Sequence, residues 1–326
     1  MKALKKSLLE AVSTDLDAIE EALKKNLKPY LSLVTHVADY LISSGGKRIR
    51  QLLMVLSARL CGYKGDLDVT LSAVFEYLHV ATLLHDDIVD GAEVRRGYPV
   101  AHAIWGNPAT VLVGDYLLAR SINIAARTGR LPIIDVISRA TARMSEGEIY
   151  QLLHRGDAQL SENQYMDVIE RKTACLIQAA CQTGALLANA EETQIQAMVT
   201  YGRHLGYAFQ LVDDLVDYMA DPAVLGKGTG TDLREGKVTL PLIYAMDRAG
   251  VEDRETMTAI IGNTETGASE FGTVLKLVND YGGITYTKNR AKTHVGEAKN
   301  ALKSFPRSPT RTILEDLADY VLARQL

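Results

Sequence analysis

Apolar residues recur along this chain at intervals of three and four, and almost nowhere at intervals of two. That is the spacing of helices with one buried face, not of strands. Leu9, Val12, Leu16, Ile19 and Leu23 form the first such stripe, which ends before Pro29. Two heptads are too few for a coiled coil, so this helix is expected to pack on the body or on a partner subunit. A second helix is expected over 30–42, closed by Ser43-Ser44-Gly45-Gly46, whose glycine pair suits a helix C-cap. Lys47 and Arg50 then enter the next helix near its positive end. Asn107-Pro108 reads as an N-cap and first-turn pair, and Leu131-Pro132 opens a helix to about Leu153. Ser161 and Gln164 make a capping box ahead of a long helix through 170–190. A helix over 192–219 is followed by a polar, Gly-rich loop, 221–237, suited to close over a site. Thr239-Leu240-Pro241 restarts a helix, and the helices from Val251 onward read as peripheral. With no strand pattern and no linker, the expected fold class is all-α, as a single domain over 1–326.

Two stretches stand out from this background. In 76–97, EYLHVATLLHDDIVDGAEVRRG, a helix is expected to end at Gly91 with Asp86 and Asp90 four residues apart on one face. Leu83, Leu84, Ile88 and Val89 surround these acids. Carboxylates aligned in such a place repel one another and lose hydration, a cost that cations between them relieve. Hard oxygen ligands suit Mg2+, which takes one or two carboxylates plus substrate phosphates, and Arg95 and Arg96 just beyond have the chemistry for those phosphates. The second stretch, 206–217, GYAFQLVDDLVD, repeats the arrangement with Asp213, Asp214 and Asp217. A charged, solvated face explains one such helix; it does not explain two.

Composition narrows the reading. At 326 residues and 47% hydrophobic content the chain can bury a large core, and a formal charge of −4 gives no nucleic-acid surface. Cys61, Cys175 and Cys181 have no metal-like spacing and cannot all pair, as expected of buried thiols in a reducing compartment. Acids at Glu10, Asp15 and Asp17 break any signal-peptide core after the basic start. No uninterrupted apolar run approaches the ~18 residues of a membrane span. The expectation is a soluble cytoplasmic protein without a transmembrane segment.

Taken together, GGKRIR (45–50), LLHDDIVDGAEVRRG (83–97), GDYLLAR (114–120), ERKTA (170–174) and the run 209–245 resemble the trans-isoprenyl diphosphate synthases, or polyprenyl synthetases. The resemblance implies a helical bundle around a deep central cavity, usually dimeric, that joins an allylic diphosphate to isopentenyl diphosphate head to tail. It implies that Asp86, Asp90 and Asp213 hold about three Mg2+ ions on the allylic diphosphate, with Asp87, Asp214 and Asp217 completing or orienting the metal shell. Lys172, Lys227, Lys237 and Arg95 would grip the same diphosphate, and Thr173 and Gln210 line its pocket. Gly46, Lys47, Arg50, His79 and Arg96 would form the isopentenyl diphosphate site. Gln51 stands where the family commonly has proline, a departure expected to affect the start of the helix and not the chemistry.

The same helix bears on product length. Residues below Asp86 on its face, Thr82, Ala81, Leu78 and Val74, are expected to meet the growing hydrocarbon tail. Short-chain family members tend to carry an aromatic residue four or five positions before the first Asp; this chain has the small Thr82 and Ala81. Tyr77 could intrude, and the helix around 144–151 could supply the cavity floor. One isoprene unit is about as long as one helical turn, ~5.4 Å, and the expected product has about six to ten units, the size of a quinone side chain. The alternatives are a short-chain farnesyl or geranylgeranyl diphosphate synthase and a non-catalytic subunit of a heteromeric synthase. Such subunits lose acidic motifs that this chain keeps. Terpene cyclases and head-to-head synthases lack a GGKRIR-type second diphosphate site.

Overall fold

The computed structural model describes residues 2–27, 29–43, 47–95, 97–219, 230–261 and 267–323. Its first half comprises α1 (Lys2–Leu27), α2 (Ser32–Ser43), α3 (Ile49–Leu60), α4 (Leu67–Val89), α5 (Ala101–Trp105), α6 (Asn107–Ala126) and α7 (Leu131–Leu153). Then come α8 (Glu162–Ile169), a π turn (Glu170–Ala174), α9 (Cys175–Leu187) and α10 (Glu192–Met219). The last part holds α11 (Thr231–Arg234), α12 (Leu240–Arg248), α13 (Val251–Ile261), α14 (Ala268–Asp280), α15 (Gly283–Ala301) and α16 (Pro309–Ala323). The only strands among the described residues form a small antiparallel hairpin, Val94–Arg95 with Tyr98–Pro99, too short for a period of two to register in the sequence.

Helix α4 runs through the middle. Leu71, Val74, Phe75, Leu78, Ala81 and Leu84 are buried almost completely, and α1, α3, α6 and α9 pack around it. A helix apolar on most of its faces belongs in a core. By length and mean hydropathy Leu67–Val89 could cross a bilayer, but 67% of that window is buried inside the protein. The helix stops where expected. Asp90 is the C-cap and Gly91 takes φ 63°. Gly91 N–H donates to Ile88 O at 3.2 Å and Ala92 N–H to Asp87 O at 3.0 Å, the paired bonds of a Schellman ending. The first acidic motif thus sits at the negative end of its helix.

The amino-terminal helix packs on the body, one of the two expected outcomes. Its last carbonyls have no partners within α1, and α6 supplies two: Arg120 Nε donates to Asn26 O at 2.7 Å and Tyr116 Oη to Leu27 O at 3.4 Å. One turn earlier, Tyr77 Oη of α4 donates to Leu23 O at 2.5 Å. Tyr77 therefore points to α1 and not along the face of Ala81.

Ahead of α3, Arg48 adopts a left-handed backbone, φ 48°, uncommon for a residue with a side chain. Three contacts hold it: Glu20 at 2.5 Å, Glu76 at 2.7 Å and Ile42 O at 2.6 Å. Gln51 also donates to Glu76 and is fully buried. Gln51 is thus part of a buried polar junction between α1, α3 and α4, which goes beyond the expected effect on the start of the helix. Breaking a buried ion pair strands a charge. An Arg48→Met variant is expected to lose about 3 kcal/mol, read from urea unfolding, and the further change Glu76→Leu to recover part of that loss.

Several local expectations change. Gly106 caps α6 and Asn107 is already helical, a shift of one residue. The expected 170–190 helix is interrupted at its start by the π turn. Helix α15 is not peripheral: Ala291, Val295 and Ala298 are buried and it packs along α10. The expected cap at Gly45-Gly46 and most of the expected closing loop lie outside the described residues, as do Arg96 and Lys227.

Candidate active site

The π turn is the local device on which the site is built. It falls on Glu170–Ala174, the ERKTA stretch. A single π turn inside a helix widens the coil and re-aims the side chains beyond it, and such turns are frequent at functional sites. Here Lys172 Nζ donates to Glu148 at 2.7 Å and Gln151 at 2.8 Å on α7, while Thr173 Oγ1 donates to Gln210 at 2.8 Å on α10. Two glycines permit the turn. A Cβ on Gly147 would lie 2.7 Å from Lys172 N, and one on Gly206 2.5 Å from Ala174 Cα, so α7 and α10 both touch the turn backbone to backbone.

Gln210 passes the contact on. It donates to Asp214 at 2.7 Å, and the Tyr165 hydroxyl donates to the other oxygen of the same carboxylate. Burial pushes the Asp214 carboxyl up to about 7, opposed by these two hydrogen bonds and reinforced by Asp213 and Asp217. Asp213, one residue earlier, is exposed to solvent. Asp217 accepts the backbone N–H groups of Thr231 and Asp232, each at 3.0 Å, and burial raises it too. Loss of hydration raises Asp232 well above the ordinary value, with Asp214 and Asp217 adding to it.

The segment anchored on Asp217 crosses to the first motif. Lys237 Nζ donates to Glu235 at 2.6 Å and to Asp90 at 3.1 Å. Arg155, in the connection after α7, pairs with the other oxygen of Asp90. Burial alone would raise the Asp90 carboxyl, but Lys237, Lys172 and Arg155 hold it below the ordinary value. Asp86 has no such balance: burial pushes it up to about 7, Lys172 and Lys237 oppose, and Glu148 and Asp90 add to the shift. Asp87 is buried and points elsewhere. Arg95 grips it through Nε at 2.9 and 3.1 Å and through Nη2 at 2.8 Å, so Arg95 here is the partner of Asp87. Beside the second motif lies a cleft of about 100 Å³, bordered by Lys172, Thr173, Gln210, Asp214 and Lys237.

Of the residues expected at the isopentenyl diphosphate site, Lys47 lies just before the start of α3 and Arg50 in its first turn. Lys47 sits 5.1 Å over the ring of Tyr320 on α16. Arg50 sits 6.0 Å from the ring of Phe209, the neighbour of Gln210. His79 is half-buried on α4, two turns before Asp86. Of the residues expected to meet a growing tail, Val74, Leu78 and Ala81 are fully buried, and Thr82 bonds back to His79 O at 2.8 Å. Near the end of α7, Glu148 and Gln151 hold Lys172 beside the acids.

The sequence left Arg155, Tyr165, Asp232, Glu148 and Gln151 unassigned. Tyr165 precedes Lys172 by seven residues, a same-face spacing in a regular helix that the π turn then alters. Arg155 lies just past a helix end, where spacing gives no direction at all.

Helices that enclose two opposed acidic clusters, each attended by lysine and arginine, define a class of enzyme acting on diphosphates in an all-α bundle. The polyprenyl synthetase family model matches residues 31–278. Octaprenyl diphosphate synthase of Escherichia coli is 40% identical over 317 residues, 97% of each chain. Among solved structures, a decaprenyl diphosphate synthase from Rhodobacter capsulatus superposes with a TM-score of 0.93 at 38% identity, covering 98% of this chain and 99% of that one. A polyprenyl synthase from Caulobacter crescentus, complexed with calcium and isoprenyl diphosphate, gives 0.92 at 38% identity, covering 98% and 97%. The chain belongs to the polyprenyl synthetase family. It is a trans-prenyltransferase of the long-chain type.

A methyl group at Gly206 has no room against the π turn. Gly206→Ala is expected to cost about 1–3 kcal/mol and to raise the KM for the allylic substrate through the Thr173–Gln210 contact one turn away. Thermal melts and initial rates check both.

Proposed function

We propose that the chain, acting as one domain over 1–326, condenses an allylic diphosphate with successive isopentenyl diphosphates. The product is an all-trans polyprenyl diphosphate of about six to ten units, each about as long as one helical turn. The observation that carries the reading is the bridge from Asp217 through Lys237 to Asp90, which joins the two acidic helix ends across one cleft.

The donor set fits Mg2+. The acids at the cleft offer oxygen only, and Asp86 and Asp214 are pushed up to about 7, as expected of carboxylates short of counter-charge. Ions held by one or two carboxylates each and completed by substrate oxygens, about three per site, fit such a donor set. Bound there, such ions would supply Lewis-acid stabilisation of the leaving diphosphate.

The protein's own groups account for the remaining steps. Lys172, Lys237 and Lys227 hold the allylic diphosphate, joined by Arg95 once it leaves Asp87, and stabilise the charge that develops as the C–O bond ionises. Lys47, Arg50, His79 and Arg96 hold the isopentenyl diphosphate, with Gly46 allowing close backbone approach. Its double bond attacks the allylic cation, and the proton lost goes to the departing diphosphate. Below the acids, the wall from Thr82 through Ala81 to Leu78 and Val74 receives the tail. Small side chains at positions 81 and 82, together with Tyr77 turned towards α1, support a long product.

Exposed apolar side chains at Ile104, Val111, Leu112 and Ile122 on α5 and α6 support a homodimer through that face. Three unpaired cysteines support a cytoplasmic setting.

Incubating the purified chain with farnesyl diphosphate, Mg2+ and excess labelled isopentenyl diphosphate is expected to yield a long-chain product by mass. An endpoint of three or four units overturns the length assignment, and full activity in Asp86→Ala or Asp213→Ala overturns the metal assignment. Ala81→Phe is expected to shorten the product while turnover continues.

Metal binding should depend on pH. Asp86 and Asp214 keep their protons until the pH approaches about 7, and a metal taking Asp86 must displace its proton. The folded, metal-free protein therefore binds more protons than the unfolded chain between about 4 and 7, and loses that contribution to stability as the pH rises. Mg2+ is expected to raise Tm clearly more at pH 8 than at pH 6; equal shifts would contradict Asp86 as a ligand.

A further inference from the structure

Arg155 lies in none of the family motifs, yet its guanidinium is paired with a carboxylate of the first acidic cluster. Its location explains how. α7 ends at Leu153, and Gly156 N–H donates to Gly236 O at 2.8 Å. That bond ties the connection after α7 to the segment carrying Lys237. A Cβ on Gly236 would sit 2.9 Å from Arg155 Cγ, and Gly236 has φ 71°. The arginine is thus laid against a backbone that only glycine suits, pointing at Asp90. The two oxygens of Asp90 then have separate cations, Arg155 on one and Lys237 on the other.

A divalent cation on Asp90 would compete with both for its oxygens. Its contact with a carboxylate oxygen would be about 2.0–2.1 Å, and the excess positive charge at one carboxylate would favour release of one of the two side chains. The side chain of Arg155 is 34% exposed and that of Lys237 15%, so Arg155 leaves with less rearrangement. Released at the edge of the cleft, a guanidinium has the planar fork that matches phosphate oxygens.

We propose that Arg155 is an exchangeable counter-ion of the allylic-diphosphate site: it neutralises Asp90 in the metal-free enzyme and moves onto the diphosphate when a metal takes Asp90. The inference rests on the reading of Asp90 as a metal ligand. It makes Arg155 a competitor of the metal and a helper of the diphosphate, two effects of opposite sign.

Calorimetric titration of the full chain separates them, with Mn2+ alone as one probe and inorganic diphosphate in saturating Mn2+ as the other. Arg155→Gln is expected to bind Mn2+ alone about 3-fold more tightly, the scale of a partly exposed ion pair. The same variant should bind diphosphate about 10-fold more weakly, the scale of a lost charged hydrogen bond. Arg155→Lys should stay near the wild type in both titrations. Unchanged affinities in Arg155→Gln, or a loss in both, overturn the proposal, since a structural role would weaken both together. If Arg155→Gln loses its cooperative melt, Arg155→Met provides the same comparison. Wild-type protein that fails to bind diphosphate with Mn2+, or binds it equally well as Asp213→Ala, contradicts the metal reading itself. Normal wild-type binding beside an unaffected Arg155→Gln contradicts only the role of Arg155.

Discussion

A carboxylate at the C-terminal end of a helix faces the negative end of the helix dipole, and burial adds the loss of hydration. This chain accepts both penalties twice. Asp86 and Asp90 close α4, and Asp213, Asp214 and Asp217 lie in the last two turns of α10. The surrounding structure compensates them. Arg95 is held by Asp87, Arg155 and Lys237 by Asp90, and backbone N–H groups by Asp217. Lys172 rests between Glu148 and Gln151 next to Asp86. Among the described residues, Arg95, Lys172 and Lys237 are therefore already engaged with the protein's own oxygens. In the proposed reading, metal and diphosphate arriving together would exchange those partners, whereas either alone would leave charge uncompensated.

In the proposed reading the same helix, α4, carries both halves of the function: its polar end would meet the substrate's charge, and its buried turns below Asp86 would line the way for the tail. Position is what couples them. Tyr77 and Arg120 fasten α1 to the outer side of α4 and α6, and the Arg48–Glu76–Gln51 junction fastens α3 to its middle. Lys47 and Arg50 flank that junction, so the stretch proposed for the second diphosphate site is braced against the helix that carries Asp86 and Asp90. Tyr77 is thereby turned towards α1 and away from the face of Ala81.

Much of this was legible in the sequence because it depends on local rules. Helix α10 runs over 192–219 as the apolar spacing predicts, Ser161 and Gln164 form their reciprocal cap, and Gly91 ends α4 with the bonds its left-handed preference allows. Both acidic clusters were visible from residue type and spacing alone. What escaped was set by contacts distant in sequence. The π turn at 170–174 depends on Gly147 and Gly206 of two other helices, so nothing within ERKTA announces it. Tyr165 and Arg155 reach carboxylates 49 and 65 positions away. Helix α15, polar over much of its length, still buries one face on α10; low mean hydropathy concealed a narrow apolar stripe.

The most direct measurement counts bound Mn2+ by electron paramagnetic resonance, with and without inorganic diphosphate. The account predicts weak, partial binding of Mn2+ alone, and cooperative binding of about three ions once diphosphate is present, because the carboxylates give up their internal cations only when an anion takes those cations over. Full occupancy at the same affinity in the absence of diphosphate would contradict it.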